Sequence, residues 1–194
     1  MNKILIFGVG LIGGSIALSA KKSGIASDIV GVGRNQDNLN DAIKLKLIDR
    51  TSQELNKDIA EAHIIIIATP VAQFSSILKT IQPHLSSRTI ITDVGSTKTS
   101  VIESAKEILG NQYSQFIGGH PIAGSEKHGA TAAHIDLFKG KNVILTPDQD
   151  TSPRAKEVIE VLWKNAGAIV SNMSHGDHDK IFSTISHLPH LLAF

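Results

Sequence analysis

The chain has 194 residues, 19 basic and 18 acidic side chains, a formal net charge of +1, and 41% hydrophobic against 19% charged residues. That length suits one domain, or one domain plus part of another, and the composition excludes wholesale disorder. The even charge gives no support for nucleic-acid binding, and the absence of cysteine excludes disulfides, thiolate catalysis and Cys-ligated metals.

Residues 3–8 (KILIFG) read as a fully buried strand, and 11–23 as the helix after it. The uncharged run 4–20 also resembles a secretory signal, ending Ala17-Leu18-Ser19-Ala20. Glycines at 8, 10, 13 and 14 break that run, so strand, turn and helix is the better reading. No other apolar run approaches a membrane span, and a soluble, cytoplasmic protein without membrane contact is expected. Residues 28–33 (DIVGVG) form the second strand and 36–46 the second helix. Residues 63–69 (HIIIIAT) are a third strand, isoleucine-rich as suits a strand covered on both faces. A helix over 71–85 is broken late by Pro83. Strand 89–94 and helix 97–109 follow, then strands at 115–118, 142–146 and 168–171, with a helix over Pro153–Asn165.

Strands alternating with helices predict an α/β fold, a doubly wound, mostly parallel sheet of the Rossmann type. A boundary falls near 170–174, where Ser174 is a candidate N-cap with Asp177 three residues on. Residues 1–172 then form a dinucleotide-binding domain, and 173–194 open a helical segment that Pro189 should kink at the carbonyl of Ile185.

Gly8-Val9-Gly10-Leu11-Ile12-Gly13 fits G-x-G-x-x-G between a strand and a helix. Gly8 permits the tight turn, Gly10 lets a pyrophosphate approach the backbone, and Gly13 lets helix and strand pack closely. The first-turn N–H groups around Leu11 and Ile12, aided by the helix dipole, suit phosphate. About 20 residues after Gly13, where a carboxylate would bind the ribose of NAD, stand Gly33 and Arg34. A guanidinium can pair with a 2′-phosphate, which favours NADP. An arginine can also stack on adenine and leave NAD usable, or be a solvated surface residue.

Three further stretches carry a family resemblance: Asp93-Val94-Gly95-Ser96-Thr97-Lys98, Gly119-His120-Pro121-Ile122-Ala123-Gly124-Ser125-Glu126, and Ser186-His187-Leu188-Pro189-His190. With the glycine turn they make the chain resemble the prephenate/arogenate dehydrogenase family, the oxidoreductases of tyrosine biosynthesis. The resemblance implies oxidative decarboxylation of a cyclohexadienol. Prephenate would give 4-hydroxyphenylpyruvate and CO2; arogenate would give tyrosine. It implies His120 as the catalytic histidine. A neutral imidazole there suits the task, because hydride loss from a carbinol builds positive charge that a hydrogen-bond acceptor on the hydroxyl relieves. Ser96 matches a family serine near that histidine and would orient the ring; it could equally N-cap a helix beginning near Thr97. His190 and His187 are implied in substrate contact, Ser125 also, and Glu126 in gating of the site. Thr69 and Pro70 would wall the nicotinamide pocket, with Gly95 beside it.

His175-x-x-His178 and His187-x-x-His190, with Asp177 and Asp179 nearby, also suggest zinc spacing. The pairs lie about 18 Å apart on one predicted helix, too far for one ion, so no metal is expected. Histidines 63, 84, 128 and 134 show no pattern and read as surface or core residues, and beyond His120, His187 and His190 no histidine needs a function. Family members continue into a helical domain that forms a homodimer and supplies a substrate-binding arginine. The resemblance therefore implies a truncated chain or natural fragment whose full activity is in doubt. Two other readings are a hydroxyacid or imine reductase of the same fold, which would not explain His120 with Ser96, and a non-catalytic NADP-binding sensor.

Overall fold

The computed structural model of the chain describes residues 2–184. In chain order its elements are β1 (Lys3–Phe7), α1 (Leu11–Lys22), β2 (Asp28–Val32), α2 (Gln36–Lys44), β3 (Arg50–Thr51), α3 (Leu55–Glu61), β4 (Ile64–Ile67), α4 (Phe74–Ile81), β5 (Ile90–Asp93), α5 (Thr99–Leu109), β6 (Phe116–Pro121), β7 (Asn142–Thr146), α6 (Pro153–Asn165), β8 (Ile169–Asn172) and α7 (His175–Phe182). The strands form an 8-stranded sheet in the order β3-β2-β1-β4-β5-β6-β7-β8. Neighbours run parallel except β6 and β7, which are antiparallel. The expected doubly wound, mostly parallel α/β sheet is what forms.

The apolar strands explain the layering. Successive side chains of a strand point to opposite faces. Ile4 and Ile6 of β1 and Ile64 and Ile66 of β4 join a core with Ile16, Ala17 and Ala20 of α1 and Ile159 and Trp163 of α6. Leu5, Phe7, Ile65 and Ile67 join a second core with Leu78 of α4 and Val101, Ile102 and Ala105 of α5. Both faces of the central strands are therefore buried, which is why their sequences are apolar runs rather than alternations. No helix among the described residues is long and apolar enough to cross a membrane.

Several boundaries differ from expectation for local reasons. The strand expected at 115–118 extends to Pro121, because Gly118–Pro121 gain an antiparallel partner in β7 after the pairing with β5 ends. The helix expected over 71–85 is α4 with a 3-10 turn at each end, Val71–Gln73 and Gln82–His84, the second holding Pro83. The helix expected from Thr97 begins at Thr99, with Lys98 as its N-cap. Ser96 is thus not its cap. The backbone N–H groups of Lys98 and Thr99 donate instead to the carboxylate of Asp179 in α7, each at 2.8 Å. The two-residue β3 and the helix α3 were not anticipated. β3 is too short to leave a periodic signal, and what fixes the region is tertiary: Asp58 of α3 accepts from Lys3 at 2.7 Å and from Arg50 at 2.6 Å. Ser174 caps α7 by accepting from the Asp177 N–H, as its position suggested. The expected kink at Pro189 lies outside the described residues.

Candidate functional site

The chain leaves β1 for β2 and β3 on one side and returns to β4 on the other. Between the carboxyl ends of β1 and β4, the point where open α/β sheets bind ligands, lies a cleft of about 580 Å³. It is lined by Gly8, Val9 and Gly10, by Gly33 to Asn35, by Asn38, and by Ala68 to Pro70. The glycines explain how backbone alone builds it. Gly8 has φ +89°, and a Cβ on it would lie 2.5 Å from the Ala68 carbonyl oxygen. A Cβ on Gly13 would lie 2.2 Å from the Gly8 carbonyl oxygen, so α1 packs onto the turn only because that atom is missing. A Cβ on Gly10 would meet nothing within 4 Å; it would project into open space at the N-terminus of α1. Gly10 provides no side-chain cap, which leaves the first-turn N–H groups of α1 available to an anion. The Thr69 hydroxyl oxygen is buried at the cleft wall without a hydrogen-bond partner among the described residues. An uncapped helix start, a side-chain-free approach and an orphaned hydroxyl fit a dinucleotide.

Gly33 and Arg34 lie exposed at the rim, and Arg34 has no ion pair among the described residues. The next two contributors went unnoticed in the sequence. Asn35 caps α2 by accepting from the Asn38 N–H at 2.9 Å. Asn38 donates to the Val9 carbonyl at 2.7 Å and accepts from the Ala130 N–H at 2.7 Å, tying the glycine turn to the segment after β6. Leu11, Ile12 and Gly13 do not line the cleft; Leu11 and Ile12 pack their side chains against the core. Gly95 does not line it either, and its N–H donates to Asp93 at 2.7 Å.

A second group gathers on the same edge of the sheet. His120 is the penultimate residue of β6, opposite Ile144 of β7, rather than in the turn beyond the strand. β6 lies two strands from β4, about 10 Å across the sheet at ordinary strand spacing. Both backbone groups of Gly119, the preceding residue, are clamped. Its N–H donates to Asp93 at 3.1 Å, and its carbonyl accepts from the Lys98 ammonium at 2.8 Å. Lys98 is fully buried and also ion-paired to Asp93. Burial pushes the Lys98 amine below its usual range against the pull of Asp93. The ring of His120 has its Nδ1 2.9 Å from Nε2 of His178 in α7, and His178 Nδ1 lies 2.7 Å from Asp179. Phe182 packs against both imidazoles, at 5.1 Å from His120 and 4.6 Å from His178.

Asp93, Lys98, His178 and Asp179 were not singled out as site residues from the sequence. For the first two a signal existed: a carboxylate ending a buried strand and a lysine five residues on. His178, which the sequence reading left without a function, is wholly buried with its Nε2 against Nδ1 of His120. Ser96 is exposed in the loop between β5 and α5. Ser125 and Glu126 are exposed after β6, and the Ser125 hydroxyl accepts from the Lys127 N–H at 3.1 Å. His187 and His190 lie outside the described residues. Among the described residues no group of three or more His, Asp or Glu side chains is arranged to hold a metal ion. His63 accepts from the Lys3 N–H at 3.2 Å and is structural.

Comparison with known proteins agrees with this geometry. The family model described as "Prephenate dehydrogenase, nucleotide-binding domain" matches residues 16–172. The chain is similar to the prephenate dehydrogenase of Bacillus subtilis, 42% identical over 193 residues, which are 99% of this chain and 52% of that protein. It thus spans about half the length of that relative. Among solved structures it is similar to the prephenate dehydrogenase of A. aeolicus in complex with hydroxyphenyl propionate and NAD+. There the TM-score is 0.93 and the identity 36%, covering 100% of this chain and 67% of that one. It is also similar to the arogenate dehydrogenase of Synechocystis, at TM-score 0.87 and 34% identity, covering 96% of this chain and 65% of that one.

Proposed function

Because the chain belongs to the prephenate dehydrogenase family and represents its nucleotide-binding domain, we propose that it takes part in NAD(P)-dependent oxidative decarboxylation of prephenate to 4-hydroxyphenylpyruvate and CO2. Arogenate is the second substrate to be tested. The single observation that carries the reading is the position of His120 at the carboxyl end of β6, two strands from a cleft built for a dinucleotide.

The residues divide the work. The first turn of α1, with Gly8, Gly10 and Gly13, holds the pyrophosphate on backbone N–H groups. Gly33 and Arg34 read the adenosine ribose, with NADP favoured through pairing of the guanidinium with the 2′-phosphate and NAD accepted. Thr69 and Pro70 wall the nicotinamide side, with Gly95 behind them. The bound nicotinamide supplies the hydride acceptor. His120 is the catalytic residue: its imidazole accepts the proton of the substrate hydroxyl as the C–H bond gives up its hydride, so the carbon becomes a carbonyl-like centre without an unrelieved positive charge. Loss of the ring carboxylate as CO2 then leaves its electron pair in the aromatic ring. Ser96 orients the imidazole or the hydroxyl. Ser125, Glu126, His187 and His190 serve the substrate side. Residues 1–172 act as the dinucleotide-binding domain, and 173–194 as the start of a helical region through which a homodimer forms in the cytoplasm.

The test is a spectrophotometric assay of the full chain with prephenate and arogenate and with each nicotinamide cofactor, for the wild type and His120→Asn. Turnover of one substrate is expected, with the variant reduced about a hundredfold or more and dinucleotide affinity nearly unchanged. Tight dinucleotide binding without oxidation of either substrate, even in a chain extended past Phe194, would sink the enzymatic reading. Loss of dinucleotide binding in the variant would sink the role of His120.

A further inference from the structure

An acceptor imidazole must present a lone pair, so one tautomer of His120 is useful and the other is not. Nδ1 of His120 faces Nε2 of His178 at 2.9 Å. Two ring nitrogens at that distance share one proton: one donates and the other accepts. The direction is decided one step further along, in α7. His178 Nδ1 lies 2.7 Å from Oδ1 of Asp179, and a carboxylate can only accept, so His178 donates there.

Asp179 is kept ionised. Burial works against its charge, but the N–H groups of Thr99 and Lys98 and the His178 ring outweigh it and hold the carboxyl well below the usual range. His178 itself is wholly buried. Burial pushes its ring down against the pull of Asp179, so it is neutral near pH 7 with one ring proton. The other charges acting on it are Lys98 and Asp93, and the Phe182 ring packs against it. With its single proton on Nδ1, His178 accepts at Nε2, and His120 must donate from Nδ1. The lone pair of His120 is then on Nε2.

We propose that His178 and Asp179 are positioning residues for His120, holding its ring with the proton on Nδ1 and the lone pair on Nε2. This rests on the reading of His120 as the proton acceptor. The same carboxylate that orients His178 also caps α5, so one side chain fixes both the docking of α7 and the tautomer of the base. When His120 takes a proton, the chain of hydrogen bonds to Asp179 stabilises the imidazolium, as a carboxylate does behind the histidine of a hydrolase triad.

The test compares His178→Phe, which keeps a ring but no acceptor, with His178→Gln, whose amide oxygen can still accept from His120. Nitrogen-15 spectra of the full chain read the His120 tautomer directly, and dinucleotide affinity reports folding. Protonation at Nδ1 is expected in the wild type and in His178→Gln, with a shift toward Nε2 protonation in His178→Phe. In turnover, His178→Phe should lose about a hundredfold in kcat with KM little changed, and His178→Gln should recover at least about tenfold of that. A wild-type His120 protonated on Nε2, or a His120 spectrum unchanged in His178→Phe, overturns the proposal. If His120→Asn turns over normally, the catalytic reading fails, and the spectra still decide whether the pair sets the tautomer.

Discussion

Arg34 is a cation at the rim of the cleft, without an ion pair among the described residues. A guanidinium in that position gains most from a ligand that brings a doubly charged phosphate to it, because charge-assisted, bidentate pairing is stronger than stacking on a neutral base. Arg34→Ala should weaken NADP binding about tenfold or more and NAD binding by less than about threefold, read by titration of the intrinsic fluorescence of Trp163 or by calorimetry. Equal losses for the two cofactors would remove the 2′-phosphate from the argument. The glycines of the turn make a second residue-level contrast. Gly13→Ala drives a Cβ to 2.2 Å from a backbone oxygen, so about 2 kcal/mol or more of stability should be lost in urea unfolding. Gly10→Ala meets no atom within 4 Å, and should cost less than about 1 kcal/mol of stability while lowering dinucleotide affinity about tenfold. The two variants separate a glycine that the fold needs from one that the ligand needs.

At the scale of elements, α5 and α7 are joined by more than packing. The first N–H groups of a helix need acceptors, and a local Ser, Thr or Asp ordinarily supplies them. Here the acceptor is Asp179, which comes from another helix, and the exposed Ser96 leaves that task alone. The helix start thereby becomes a docking point for α7, and α7 in turn delivers His178 to β6. β6 is also set by two different partners. It runs parallel to β5 over Phe116 and Ile117 and antiparallel to β7 from Gly118 onward, which extends the strand through His120 and gives the residue a fixed backbone. A residue held in a sheet loses less precision than one on a loop, which suits the proton-accepting role proposed for His120.

At the scale of the whole molecule, the two apolar cores supply most of the adhesion, and an ionic cluster sets how the protein responds to acid. The Arg50 guanidinium beside Asp58, together with Lys3 and Ser52, outweighs burial and holds that carboxyl well below the usual carboxylate range. The native state therefore binds a proton there less readily than the unfolded chain does. The stabilisation is fully present above the unfolded value of about 4 and is lost as pH falls through the native one. Asp58→Asn should be less stable than the wild type at pH 7, with the gap narrowing as pH falls below about 4, measured as urea midpoints across the range. A gap that widens in acid would mean that Asp58 is not the group responsible.

The alternation of strands and helices, the two-sided burial of the isoleucine-rich strands and the glycine turn are all legible along the chain. Each depends on residues close together in the chain, where periodicity and backbone sterics act. Helix α6 appeared at its expected bounds for the same reason, since Ser152 and Pro153 form a local start signal. The short β3, the extension of β6 and the cap on α5 were not legible, because each is made by a partner remote in sequence. His178 meets His120 across 58 residues, and Asp179 meets the Lys98 N–H across 81. The His175-x-x-His178 spacing taken alone resembles a metal pair, and it is the docking of α7 on α5 that turns His178 toward the imidazole of His120 and Asp179 toward the first N–H groups of α5. Hydrogen-bond partners of that kind are chosen by packing, and packing is a property of the assembled sheet and helices rather than of any single stretch of sequence.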